Sequence, residues 1–117
     1  MRDFKKLNVW NKSMDFTVNV YLLMQHLPVD ERFALKSQIQ RAAVSIPSNI
    51  AEGCSRSSQL DFKRFLEIAL GSSYEIETQL ILIERLKMLQ EPITLIDDIV
   101  EIQKMLVGLI KSVKNKL

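Results

Sequence analysis

Punctuation constrains this chain more than any other feature. Residues that break regular structure cluster at three places: Leu27-Pro28-Val29-Asp30, Gly53 to Ser58, and Gln90-Glu91-Pro92. No run alternates apolar with polar, and no Asn-Gly or Asp-Gly turn occurs, so strands have nothing to build on. What remains is four helical segments joined by short connections. Such segments pack antiparallel to their sequence neighbours, which predicts an all-α, up-down-up-down four-helix bundle formed by residues 1–117 as one domain. A helix of about 25 residues is about 37 Å long, so the bundle is a rod with two distinct ends.

The first segment runs from about Leu7 to His26 and keeps Leu7, Trp10, Met14, Val18 and Tyr21 on one apolar face. Pro28 stops it, because the residue before a proline is pushed out of the helical region. The second begins after Asp30, a candidate N-cap followed by Glu31, and ends at Gly53, a residue suited to a left-handed C-cap. The third, Gln59 to about Leu89, opens on Ser58-Gln59-Leu60-Asp61, which has capping-box spacing. Phe62, Phe65, Ala69, Ile76, Leu80, Ile83 and Leu86 form its apolar face, and Gly71 interrupts its middle, where a close helix approach would justify it. The fourth runs from about Pro92 or Thr94 to Lys116 and carries a wide apolar surface that includes Ile96, Ile99, Met105, Leu106, Leu109, Ile110 and Val113. Leu80-Ile81-Leu82-Ile83 is apolar on every side, more than one bundle core absorbs. The excess on the third and fourth helices predicts a homo-oligomer.

Composition excludes several classes. The apolar share is 47% and glycines and prolines number three each, which suits a packed helical core and not a disordered chain. A single cysteine, Cys54, allows no internal disulfide, and a reducing, cytoplasmic setting is expected. The start, MRDFKKLNVW, lacks the apolar core of a secretory signal, and no apolar run approaches the roughly 20 residues of a membrane span.

Within the second segment, Gln38 to Gly53 carries two stripes. Leu35, Ile39, Ala42, Ile46 and Ile50 are apolar, whereas Gln38, Arg41, Ser45, Asn49 and Glu52 form a polar line beside them. Pro47 removes one backbone donor and is expected to bend the helix. Antiparallel pairing places Arg41 opposite Ser72 and Glu75, so an Arg41–Glu75 ion pair is expected. Gln38, Ser45 and Asn49 would satisfy the remaining polar groups. This seam either fixes helix register or forms a polar pocket for a small ligand or phosphate.

The bundle also sorts the charges. One end collects Arg2, Lys5, Lys6, Lys12, Arg56, Lys63, Arg64, Lys111, Lys114 and Lys116, against Asp3, Glu52 and Asp61. The opposite end is slightly acidic, although the chain as a whole carries only +2. A basic end of this kind attracts phosphates by counterion release and is the candidate nucleic-acid surface. The bland alternative is that lysines at helix C-termini serve solubility and the helix dipole.

Catalytic signatures are missing. His26 has no acid or cysteine beside it in a catalytic pattern, and Cys54 follows a helix end where a low-pKa thiol would prefer a helix start. No P-loop, GxGxxG, HExxH or GxSxG occurs, and Glu75 with Glu77 does not make a metal site. The expectation is a non-enzyme with no catalytic residues, no metal and no cofactor.

Gln38-Ile39-Gln40-Arg41-Ala42-Ala43-Val44-Ser45-Ile46, Asn49-Ile50-Ala51-Glu52-Gly53, and later Phe65-Leu66, Ala69, Gly71-Ser72 and Glu75 resemble, in order and spacing, the 23S rRNA intervening-sequence protein family. Phe4, Leu7 and Trp10 near the start and Leu106 to Ile110 near the end also fit. The resemblance implies four-helix bundles assembled as pentameric rings and contact with RNA or DNA, and it implies no enzymatic activity. The chain is also similar to the accessory protein of diversity-generating retroelements, a basic pentamer that binds nucleic acid and a reverse transcriptase. The reading is therefore an oligomeric scaffold whose basic end contacts rRNA or another nucleic acid. The alternatives are an adaptor ring for a protein partner and a small-ligand binder using the Arg41/Glu75 neighbourhood.

Overall fold

A computed structural model describes residues 2–28, 33–90 and 93–117. Among these, four helices form: α1 (Asn8–Met24), α2 (Phe33–Cys54), α3 (Gln59–Arg85) and α4 (Leu95–Lys114), preceded by a 3-10 turn at Phe4–Lys6. Each helix packs on its sequence neighbours and α1 closes against α4, while neither diagonal pair touches among the described residues. That is the square of an up-down-up-down bundle, here a rod of 46 × 20 × 19 Å. The expected N-cap and first turn at Asp30 and Glu31, and the start at Pro92, lie outside the described residues.

The core is a column of fully buried Ile and Leu: Ile39, Ile46 and Ile50 from α2, Leu66, Ile76, Leu80 and Ile83 from α3, and Ile99, Ile102 and Leu106 from α4. The isoleucine stripe read on α2 is the one buried. On α1 the buried face is Val9, Ser13, Phe16, Val20 and Met24. Of the expected face, Leu7 and Trp10 pack partly buried against the core, whereas Met14, Val18 and Tyr21 turn outward, all at least 40% exposed. The helix carries apolar residues on two sides, and the side with the smaller Ser13 is the one that fits the core. Ser13 tolerates full burial because its Oγ donates to Trp10 O at 2.8 Å.

α2 runs on through Pro47, which cannot donate to the carbonyl of Ala43 one turn earlier. That carbonyl is met from another helix: Thr17 Oγ1 lies 3.2 Å from Ala43 O and 2.7 Å from Ser13 O, sharing its proton between them. An unsatisfied buried carbonyl costs about 1–3 kcal/mol, so this contact pins α1 to α2 in register.

Gly53 is not a left-handed C-cap; no glycine has positive φ, and Gly53 lies within α2. A Cβ there would stand 2.8 Å from Phe65 Cβ and 3.2 Å from Phe62 Cδ1. Its role is close approach of α2 to α3. Gly71, for which a close approach was expected, has nothing within 4 Å of a Cβ and faces outward.

Ser58 caps α3 as its spacing predicts, its hydroxyl accepting from Asp61 N at 3.1 Å. The far end stops at Arg85, short of Leu89, where Lys87 adopts φ 54 and Met88 N donates to Ile83 O at 3.2 Å. This is a left-handed helix stop made without glycine. In α4, Asp97 and Asp98 sit in the first turn and Lys111 and Lys114 in the last, complementing the helix dipole.

Gly53→Ala is expected to destabilise the fold by about 1–3 kcal/mol, because the clash is with a Cβ anchored on a facing backbone. Gly71→Ala is expected to stabilise it by about 1 kcal/mol. Urea unfolding midpoints of the two variants check both signs.

Candidate nucleic-acid interface

The basic end is assembled by four helix termini. The α2–α3 turn brings Arg56 there, and the first turns of α3 bring Lys63 and Arg64. Gln103 Nε2 donates to Glu77 Oε1 at 2.8 Å, setting α3 and α4 antiparallel with the last turn of α4 beside the start of α3. Lys111, Lys114 and Lys116 therefore arrive at the same end, all exposed. The N-terminal segment completes it. Its 3-10 turn is capped by Asp3, whose Oδ1 accepts from Lys5 N at 3.1 Å, and is tied to α1 by Asn11 Nδ2 donating to Lys5 O at 2.9 Å. The Phe4 and Trp10 rings meet edge to face, 5.0 Å between centroids.

Not all ten predicted cations carry free charge. Lys63 Nζ is 3.3 Å from Glu67, and Arg64 is 3.6 Å from Asp61. Arg56 stands 4.0 Å from Glu52, too long for a hydrogen bond. Lys12 does not join the basic end: its Nζ lies 3.9 Å from Asp98 in the first turn of α4, which starts at the opposite end. Such half-exposed pairs are each worth at most about 1 kcal/mol, but they cancel local charge. Among the described residues, Arg2, Lys5, Lys6, Lys111, Lys114 and Lys116 form no ion pair with one another's neighbours, and they carry the net positive field.

Arg2 is the most fixed of these. Its Nη2 donates to Gln59 Oε1 at 2.6 Å and its Nη1 to Arg56 O at 3.3 Å. The guanidinium lies 4.0 Å from the centroid of the Phe62 ring, and that of Arg56 lies 4.9 Å from the Phe65 ring. Phe62, Phe65 and Gln59 were read as core or capping residues; their second role as arginine supports depends on a contact across 54 residues or more, which spacing does not reveal. Cys54 is buried beneath this end, and burial pushes its thiol up, opposed by the nearby Arg2 charge and aided by Asp3.

The polar seam is narrower than expected. Ser45 Oγ, which donates to Ala42 O at 2.7 Å, shares a 2.6 Å hydrogen bond with Ser72 Oγ between α2 and α3, while Asn49 Nδ2 donates to Ser45 O at 2.7 Å within α2. Gln38, Arg41, Glu52 and Glu75 are exposed, and no ion pair joins Arg41 to Glu75. The two are level on the rod, but both long side chains turn to solvent, where an ion pair gains little. Glu75 instead accepts from Gln79 Nε2 at 3.3 Å. A second polar layer, unread in the sequence, joins α3 to α4 through Ser73, Glu77 and Gln103. His26 is exposed at the loop edge. Among the described residues no three His, Cys, Asp or Glu side chains converge on a point, and no helix is long and apolar enough to cross a membrane.

Residues 5–108 match the family described as 23S rRNA-intervening sequence protein. Among solved structures, a protein of unknown function from the S23 ribosomal protein family of Bacteroides thetaiotaomicron is similar at 34% identity and a TM-score of 0.81, covering 88% of this chain and 98% of that one. No functionally curated protein matches.

Two outcomes check this geometry. Arg41→Met and Glu75→Leu are expected to add independently, with a coupling below about 0.5 kcal/mol in a double-mutant cycle. Cys54 is expected to alkylate far more slowly in the native protein than in urea in mildly alkaline buffer, since only the exposed thiol ionises readily.

Proposed function

The chain belongs to the 23S rRNA-intervening sequence protein family, and from that premise we propose that it is a non-catalytic helical scaffold whose basic end contacts RNA. One observation carries the reading: the cations without ion pairs among the described residues, on the segment before α1 and in and just after the last turn of α4, stand at one end of a rod. A field of this kind draws phosphates by counterion release without reading sequence.

The scaffold acts as a homo-oligomer in this reading, with the pentamer as the expected stoichiometry. Two unlike apolar faces support it. Met14, Val18, Tyr21 and Leu22 line the outside of α1, beside a groove walled by Phe4, Trp10, Val44 and Pro47. Leu60, Ile68, Leu82 and Leu86 line the outside of α3. Unlike faces on one subunit associate head to tail, and a closing rotation makes a ring in which every basic end adds to one rim.

Binding to a labelled rRNA fragment, measured at several salt concentrations, tests the proposal. Affinity is expected to fall steeply with salt, and replacing Lys111, Lys114 and Lys116 by Ala is expected to flatten the log–log slope by about 2–3 per subunit. Absence of binding at low salt, in a sample shown by sedimentation to be assembled, overturns the RNA reading and leaves an adaptor for a protein partner in its place.

A further inference from the structure

We propose that the turn between α2 and α3 is a dedicated phosphate clamp, in which Arg2, Arg56, Ser57 and Gln59 hold one phosphate group of the nucleic-acid strand. The proposal rests on the reading of the basic end given above for its ligand, and on the geometry of the turn for the site itself.

A cavity of about 470 Å³ opens at this turn, lined by Arg2, Ser55, Arg56, Ser57 and Gln59. No carboxylate lines it. Of the acids around the turn, Asp61 pairs with Arg64 and Asp3 caps the 3-10 turn, whereas Glu52 stands 4.0 Å from Arg56 at the edge of the site. Lysines at the end of α4 are flexible point charges that must be ordered on binding, whereas the two arginines here already stand over the Phe62 and Phe65 rings. Those rings are one helical turn apart on α3, so both guanidinium groups are supported at the same end of that helix. An arginine has five N–H donors, and Arg2 spends two of them on Gln59 and the Arg56 carbonyl. Among the described residues the Arg56 side chain makes no hydrogen bond and Ser57 Oγ makes none either, although Ser55 donates to Glu52 O at 2.6 Å. The remaining arginine donors and a free hydroxyl border one concave space, and a tetrahedral oxyanion is the group whose several acceptors match them.

Pinning the N-terminus explains Arg2 alone. It does not explain Arg56, whose guanidinium lies over Phe65 at the surface with Glu52 4.0 Å away and, among the described residues, no side-chain hydrogen bond. A diffuse basic field explains the charge but not the seating of both guanidinium groups over rings or the two hydrogen bonds that hold Arg2. Arg2→Lys separates these accounts, because it keeps the charge and removes the fork and the stack.

The experiment titrates the full chain with inorganic phosphate, followed by amide and arginine Nε shifts, and in parallel measures binding of a single-stranded RNA oligonucleotide. The clamp predicts saturable shifts at Ser57, Gln59 and the two arginines, and a loss of about tenfold in phosphate affinity for Arg2→Lys at unchanged circular dichroism. Lys114→Ala is expected to leave phosphate affinity unchanged while weakening RNA. Shifts that do not saturate, or an Arg2→Lys variant equal to the parent, overturn the clamp even where RNA still binds. Saturable phosphate binding with no RNA binding overturns the RNA reading and keeps the site.

Discussion

The approach of α2 to α3 at Gly53 is the contact on which the rest of this bundle hangs. The only side chain that fits between that backbone and Phe65 is none at all. With the helices this close, the connecting turn is tight, Ser58 falls where it can cap α3, and Phe62 and Phe65 present their rings at the end of the rod. The same closeness lets two short hydroxyls, Ser45 and Ser72, reach one another further up the seam. A wider spacing would leave both unpaired and would separate the arginine supports from the strand of chain that Arg2 anchors.

Polar groups inside the bundle are handled locally rather than by ion pairs. Ser13, Ser45 and Ser73 each donate to a carbonyl three residues back in their own helix, so burying them costs little. Thr17 answers the carbonyl that Pro47 leaves open. Gln79 Oε1 is the exception, a buried oxygen with no donor, next to the α2–α3 seam. The ion pairs among the described residues lie at the surface at 3.3–4.0 Å and set charge distribution more than stability.

Helix number, topology and the α2 core face were legible in the sequence because they follow from breaker positions and from one unambiguous isoleucine stripe. The α1 face was not, since two apolar sides compete and only the partner surface chooses between them. Glycine was misread twice for a related reason. The residue serves left-handed turns, close contacts and open positions alike: Gly53 makes the close approach expected at Gly71, and Gly71 is an open helical position. The end of α3 escaped because Lys87 adopts a conformation that usually advertises itself with glycine. At the candidate interface, helix ends placed most of the cations correctly. Lys12 departed because the first turn of α4 supplies an acid, and Arg2 gained its role only through contacts distant in sequence.

That distance has a kinetic meaning. The α2–α3 and α3–α4 hairpins close over short loops, whereas Arg2 must find partners 54 and 57 residues further along the chain. Loop-closure entropy grows with that separation and the reward is two hydrogen bonds and a stacked ring, so the segment around Arg2 docks after the hairpins. By the same arithmetic it is the cheapest part to release from the finished bundle. The charged end of the rod is thus closed by a latch rather than by the core, and it opens without the hairpins having to unfold.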